Sequence, residues 1–514
     1  MTTTSAGSSP HGTILGHPDS LFVLFFTEMW ERFSYYGMRA LLVLFLVSTA
    51  AKGGWGWSRE EATSLYGWYT GLAYATPILG GYLADRFLGT RRAVLIGGFI
   101  IAAGHISLFL DTIVSFYAGL SLIIAGTGLL KPNISAIVGQ LYNKDNEQGR
   151  DGGYTLFYMG VNAGAFFGIS LCGYIGEKIS WNLGFGLAGV FMILGALQFW
   201  FGQKIFGSIG DVPSAESRAA VAASRDDEGP AHVVRDRLVA IGVFSFFTIF
   251  FWFAFEQAGG SMTIFAADYT DRTLVGTGGF IFKVINSLMT LIPAAILSWL
   301  WIKLAKATGG RIASSNAVLA LALLLIWGLS LWMLGREFSL EQSEVPATWF
   351  GVLNSFFLVI LAPYFTKMWD QWWNPSGPIK FGMGLVLLGL GFAALSYGSA
   401  GIAPGAKTAH VSMVFLCIAY LFHTMGELTL SPVGLSYISR LAPARLLGLM
   451  FGIWFLNTSI ANKLAGATGS YIDHISETYS MSTFFLIFTL IPIGAGLVMM
   501  LLNKWMLGKM HGIR

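Results

Sequence analysis

Charge is what this chain has least of. Only 11% of its 514 residues are Asp, Glu, Lys or Arg, against roughly a quarter in an ordinary soluble domain. So few charges cannot coat a water-facing globule of this size, and a soluble fold is excluded. Cysteine is nearly absent. Cys172 and Cys417 lie in separate apolar runs, which excludes a disulfide framework and a thiolate metal pattern. Only His105 and His423 among the histidines fall in apolar runs, and each reads as a packed polar side chain rather than a proton relay. The first 20 residues hold no Lys or Arg and no separate apolar core with a cleavage site, so no removable signal peptide is expected and the first helix itself inserts. No Ser/His/Asp, His-cluster or Cys constellation stands out, so neither an enzyme nor a cofactor is expected. The net charge of +4 is mild, and the basic residues follow a membrane pattern rather than forming a nucleic-acid patch.

What is present is apolar: 54% hydrophobic and 15% aromatic residues, with mean hydropathy +0.64. The 64 glycines suit close helix contacts in lipid. The chain reads as an all-α polytopic membrane protein. Runs long enough to span, about 20 residues each, fall near 20–48, 61–84, 90–112, 114–139, 153–175, 184–206, 236–258, 278–304, 314–335, 347–371, 379–398, 411–437, 446–468 and 482–504. These predict fourteen helices. With the N-terminus cytoplasmic, one set of loops and the C-terminal tail hold twenty Lys and Arg, Lys144, Arg218, Arg225, Arg445 and Arg514 among them, and the other set holds six: Lys52, Arg59, Lys178, Arg272, Arg336 and Lys407. That asymmetry places both termini in the cytoplasm. The polar stretch 207–235 reads as a linker. The expected organisation is a tail (1–19), a six-helix bundle (20–206), the linker (207–235), a second six-helix bundle (236–505) interrupted by an extra helical pair at about 278–336, and a tail (506–514).

The first helix carries Glu28, Glu31, Arg32, Tyr35, Tyr36 and Arg39, spaced i, i+3, i+4, i+7, i+8 and i+11. At about 100° per residue all six share one face, an arc of roughly 140°. A membrane helix must turn such a stripe from lipid, towards protein or a water-filled cavity. The alternative is a set of ion pairs that only pins the helix to its neighbours.

Further motifs follow. Gly81-Tyr-Leu-Ala-Asp85-Arg86-Phe-Leu-Gly89-Thr-Arg91-Arg92 reads as a tight cytoplasmic turn, with Asp85 pairing to Arg or capping the next helix. Lys131, followed by Pro132, sits inside an apolar helix; a snorkelling lysine is the bland reading, and a helix broken at Pro132 to line a cavity is the other. Asn162 offers an amide in mid-helix, for packing or for a ligand. Glu256, one turn after Trp252, and Glu427 are further intramembrane carboxylates. Arg39 and Lys131 in the first half and Glu256 and Glu427 in the second could pair across the halves, made in one conformation and broken in another. No role is assigned to Lys283 or Lys463.

These motifs, with Val345-Pro-Ala-Thr-Trp-Phe to Asn354 and Gly426-Glu427 to Ser436, resemble the proton-coupled oligopeptide transporters, also called the peptide transporter family, within the major facilitator superfamily. The resemblance spans essentially the whole chain. It implies the major facilitator fold, two six-helix bundles plus two extra transmembrane helices. It implies a proton-coupled symporter that imports di- and tripeptides across the inner (plasma) membrane, working as a monomer without cofactor. By resemblance, Glu28, Glu31, Arg32 and Lys131 couple protons, with Glu256 paired to Arg39 on the extracellular side and Lys131 to Glu427 in a second pair. Arg39 and Lys131 would draw the peptide carboxylate and Glu427 its amino group. Asn162 and Asn354 would bond the peptide backbone, and Tyr35, Tyr36, Tyr74, Trp252 and Trp454 would line side-chain pockets. One departure stands out. Relatives with two extra helices usually carry them between helices 6 and 7; here the Phe251–Gln257 motif precedes the pair and the Pro346–Asn354 motif follows it. A same-family carrier of nitrate or of a peptide-like compound is the nearest alternative, and a channel or membrane-embedded enzyme a more distant one.

Overall fold

The computed structural model describes residues 12–142, 146–212, 230–443 and 446–513. Lys144, Arg218, Arg225, Arg445 and Arg514, most of the N-terminal tail and most of the linker lie outside the described residues.

Among the described residues there are fourteen helices of 19 residues or more: α1 Asp19–Val47, α2 Arg59–Leu83, α3 Thr90–Phe109, α4 Ile113–Gln140, α5 Glu147–Phe167, α6 Trp181–Gly202, α7 Ala231–Phe255, α8 Gly276–Thr308, α9 Ala313–Ser339, α10 Trp349–Lys367, α11 Gly377–Gly398, α12 Val414–Leu441, α13 Leu447–Gly469 and α14 Met481–Leu501. Eleven are long and apolar enough to cross a membrane. The other three are α1, left out by its own charge stripe, and α2 and α13, which are rich in Gly, Thr, Ser and Asn. That composition has a structural reason. A Cβ on Gly466 of α13 would lie 2.4 Å from the Gly67 Cα of α2, so the two backbones touch. Small residues permit such contact where lipid supplies no hydrophobic drive between helices.

α1 is the buried axis of the first six helices. Glu28, Glu31, Arg32 and Arg39 are 3%, 0%, 3% and 8% exposed, so the stripe does face protein. α5 fits against α1 with no clearance: added Cβ atoms at Gly164 and Gly168 would sit 2.1 Å from Met29 O and 2.2 Å from Phe33 O. α5 widens at Gly168–Cys172 and continues as a short helix, Gly173–Lys178. Helices also overrun several expected boundaries. α7 starts at Ala231 rather than 236, the extra pair spans 276–339, and a short helix, Asn503–Lys509, crosses the expected tail boundary. Residues 12–18 are not plain tail but a small hairpin, Thr13–Ile14 against His17–Pro18, with His17 Nδ1 2.8 Å from the Tyr142 hydroxyl. Apolar runs mark the hydrocarbon layer, whereas helices continue into the polar zones beside it.

Two expectations about local structure fail. α4 runs unbroken through Pro132, and Asn133 Nδ2 donates to Leu129 O at 2.7 Å in the adjoining turn. Asp85 is exposed and pairs with no described residue. The latch at this turn is Arg91, which donates to Gly207 O at 2.6 Å and pairs with Asp211, while Gly89 makes the turn at φ +77°.

The extra pair, α8 and α9, leans on the first six helices. Ser315 Oγ donates to Gln198 O (2.8 Å), Arg311 pairs with the buried Asp19 (2.6 Å), and the Tyr174 hydroxyl donates to Glu337 (2.9 Å). It meets α10 through Trp349 Nε1, which donates to Asn286 Oδ1 at 3.1 Å. Lys283 donates to Leu340 O at 2.5 Å and Lys463 lies over the Trp68 ring. The chain enters and leaves the pair through two short paired strands, Thr273–Leu274 and Ser343–Glu344.

Candidate functional site

The acidic half of the α1 stripe is short of partners. Arg32 Nε lies 2.7 Å from Glu28 Oε1 and 2.8 Å from Glu31 Oε2. One guanidinium therefore serves two buried carboxylates, and Glu28 Oε2 and both Glu31 oxygens have no hydrogen-bond donor among the described residues. A third charge or a proton would satisfy them. Lys131 does not fill that role in this conformation: no described carboxylate lies within ion-pair distance, and its Nζ stands 3.7 Å from the centre of the Tyr74 ring, a cation–π contact.

Two turns further along α1, Arg39 pairs with Glu256 at the end of α7. Its Nε also donates to the Tyr66 hydroxyl at 2.5 Å, and Tyr66 donates to Glu256 Oε2 at 3.2 Å. The expected Arg39–Glu256 pair is thus present as a buried triad with Tyr66. Sequence reasoning missed Tyr66, although Tyr66, Tyr69 and Tyr74 share one face of α2 at i, i+3 and i+8. Tyr35 is buried with its hydroxyl unpartnered, stacked at 6.3 Å on Tyr69, and Tyr36 lies against Arg39.

Glu427 of α12 is half-buried and held from both sides. Oε2 accepts from Asn354 Nδ2 of α10 (3.0 Å), and Oε1 accepts from the Tyr158 hydroxyl of α5 (3.4 Å). Asn354 also donates to Thr424 Oγ1 (3.1 Å). Lys131 and Glu427 form no ion pair here. Tyr158 and Thr424 were not singled out from sequence, though Tyr158 sits inside the Phe157–Phe166 motif and Thr424 lies one turn before Glu427. Asn162 Nδ2 donates to the backbone carbonyl of Tyr158 within its own helix (2.9 Å). Trp252 is half-buried, its indole nitrogen unpartnered, and Trp454 is buried over Gly434. His105 and His423 are buried with neither ring nitrogen bonded.

The ion pairs between described residues that join α1–α6 to α7 and α10–α14 lie at the Arg39 level or at the end remote from the termini. At that end Arg59 pairs with Asp268 (2.5 Å) and Asp473 (2.8 Å), and Lys178 with Glu344 (2.7 Å). Glu177 of the first six helices accepts from Ala347 N and Thr348 N, both at 2.8 Å, where α10 begins. Burial pushes the Glu344 carboxyl up, but the Lys178 hydrogen bond and charge, with Arg272, outweigh it and hold it below the ordinary value. At the other end Tyr154 and Tyr158 of α5 are exposed, so the site opens toward the termini.

A buried charge stripe, a second carboxylate on a facing helix and closure at one end define a membrane transporter of the major facilitator class. The POT family pattern (PTR2) matches residues 91–224 and 329–504, and the chain belongs to the POT family. The unmatched stretch between them carries α7, α8 and the first part of α9. The chain is 34% identical over 98% of both sequences to "Uncharacterized transporter YclF" of Bacillus subtilis (strain 168). It is 30% identical, again over 98% of each, to the "Di-/tripeptide transporter" of Lactococcus lactis subsp. cremoris. Among solved structures, a peptide transporter POT in complex with sulfate superposes with a TM-score of 0.75 at 29% identity, covering 98% of each chain.

Proposed function

We propose that this protein imports di- and tripeptides together with protons across the inner membrane, by alternating access. The observation that carries the reading is Glu427. Asn354 and Tyr158 fix its carboxylate, and it remains half-buried rather than sealed. It faces a site whose cations, Arg39 and Lys131, belong to other helices. A zwitterion needs an anion and a cation set apart, with charge-assisted hydrogen bonds at each end. Tyr36, Tyr74 and Trp252, all half-buried, supply apolar walls that accept varied side chains. Glu28 or Glu31 would take the proton beside the Arg32 guanidinium, because Glu28 Oε2 and both Glu31 oxygens have no hydrogen-bond donor among the described residues, and Lys131 would answer to that proton.

In this reading all fourteen long helices cross the bilayer, with both termini cytoplasmic. Residues 20–206 and 236–505 form the moving halves, 207–235 joins them, and one copy suffices. The structure is then the inward-facing state. Each proton entering gains about 2.3 kcal/mol per 100 mV of membrane potential. A peptide-like amino acid is the second reading, favoured by one structural neighbour. A POT family transporter in complex with 5-aminolevulinic acid is 25% identical with a TM-score of 0.76. Nitrate fits poorly beside the Glu427 carboxylate. The test is dialanine uptake into proteoliposomes with an inward proton gradient and a negative interior. Accumulation abolished by a protonophore is expected; no uptake by folded protein would overturn the reading.

A further inference from the structure

α7 and the segment around the short helix Asn503–Lys509 border a shallow, open groove on the outside of the helical bundle, at the end that carries the termini. Its volume is about 500 Å³, and Val239, Gly242, Phe246, Phe247, Leu502 and Trp505 line it. The lining is apolar. Gly242 keeps it open: a Cβ there would meet no atom within 4 Å. Val239, Phe246 and Trp505 are 41%, 54% and 45% exposed, so the groove faces outwards, not into the transport site.

The mouth of the groove is charged. Arg235, Val239, Gly242 and Phe246 follow one another at helical spacings of four, three and four, and so share one face of α7. Arg235 stands on the groove's own stripe, one turn before its first lining residue. It is exposed and pairs with no described residue. Lys504, beside the lining residue Trp505, is also exposed and uncommitted. The nearby acid is already engaged: Asp236 is held by Lys509 at 2.8 Å and by His511 at 3.0 Å, which also ties the short helix to α7. Among the described residues the mouth therefore offers two free cations and no free anion.

We propose that this groove binds one phospholipid with an anionic headgroup. An acyl chain lies along Gly242 to Phe246, the phosphate meets Arg235 and Lys504, and the Trp505 indole marks the interface level where such rings settle. Any apolar face would attract lipid chains. The two uncommitted cations make this groove choose among headgroups.

Native mass spectrometry and thermal melting of the purified full-length protein test the assignment. Phosphatidylglycerol, phosphatidylcholine of the same chains, and glycerol phosphate without chains would each be added. Phosphatidylglycerol is expected to stay bound and to raise the Tm; the other two are not. Arg235→Gln with Lys504→Gln should cut the preference for phosphatidylglycerol over phosphatidylcholine about thirty-fold, roughly fivefold for each cation lost. Gly242→Leu, which fills the groove and leaves the cations in place, should weaken binding of the lipid. Equal retention of both lipids, or a preference untouched by either variant, would overturn the proposal. An effect of glycerol phosphate equal to that of the intact lipid would overturn it too, by making the site one for free phosphate. Neither readout depends on transport, so the result stands apart from the proposed substrate.

Discussion

Replacing Glu427 by Gln separates recognition of a peptide's amino end from everything else in the site. The carboxylate has about four lone-pair directions. Asn354 and Tyr158 take one on each oxygen, which leaves two for an ammonium group. Gln preserves the size of the side chain and can still accept from Asn354. It removes the negative charge and turns a donor towards the ligand. A hydrogen bond to a charged partner contributes about 1.5–3 kcal/mol, and each 1.4 kcal/mol is tenfold. Half-burial of Glu427 keeps solvent from screening much of this. The inhibition constant of dialanine should therefore rise about 10- to 150-fold, and that of N-acetyl-dialanine by less than about threefold. The assay is competition against labelled peptide in proteoliposomes, run for both ligands on both proteins. Equal weakening of the two ligands would refute the assignment, since the loss would then come from a deformed site.

Three other outcomes follow from the same structure. Lys131→Gln should abolish accumulation against a gradient while peptide exchange persists; retained uphill uptake would remove Lys131 from proton coupling. Gly466→Val forces atoms into a backbone contact of α2 with α13 where even a Cβ lies 2.4 Å from Gly67 Cα, and should lower stability by about 1–3 kcal/mol, read as a drop in Tm. Glu344 has its carboxyl held below the ordinary glutamate value of about 4.3, so its charged form stabilises the fold at neutral pH and that contribution is lost as the pH falls through the acid range. Glu344→Gln should therefore lower the Tm at neutral pH and match the unaltered protein in acid; a constant difference at every pH would contradict the link.

Sequence carried the helices and the stripe because both are written locally. Twenty apolar residues in a row and six polar ones at helical spacing need no partner to be recognised. The Arg39–Glu256 pair is legible only through the family resemblance: the residues alone set Arg39 and Lys131 against Glu256 and Glu427 and leave the partners open. What sequence did not carry depends on conformation or on neighbours. Lys131 and Glu427 form no ion pair in this arrangement of the halves, and which arrangement the chain adopts is not written in residue types. Tyr66 was missed because a tyrosine among tyrosines carries no mark until Arg39 is seen bonding it. Asn162 read equally as a packing or a ligand amide, and its bond to the Tyr158 carbonyl of its own helix uses only part of what it can donate and accept. Pro132 looked like a break, and the helix continues through it.

The neck of the extra helical pair accounts for where such a pair can sit in a chain. Thr273–Leu274 and Ser343–Glu344 run side by side, so the module begins and ends at nearly one point in space. Material inserted through such a neck adds a hairpin without displacing the segments before and after it, as insertions at exposed loops generally do. An even number of crossings also returns the chain to the side it left. The pair is in this sense portable: a lineage could gain it at one loop, lose it there and carry it at another, with Trp252, Glu256 and Asn354 unmoved. Its position after α7 leaves Trp252 and Glu256 before the neck and Asn354 after it.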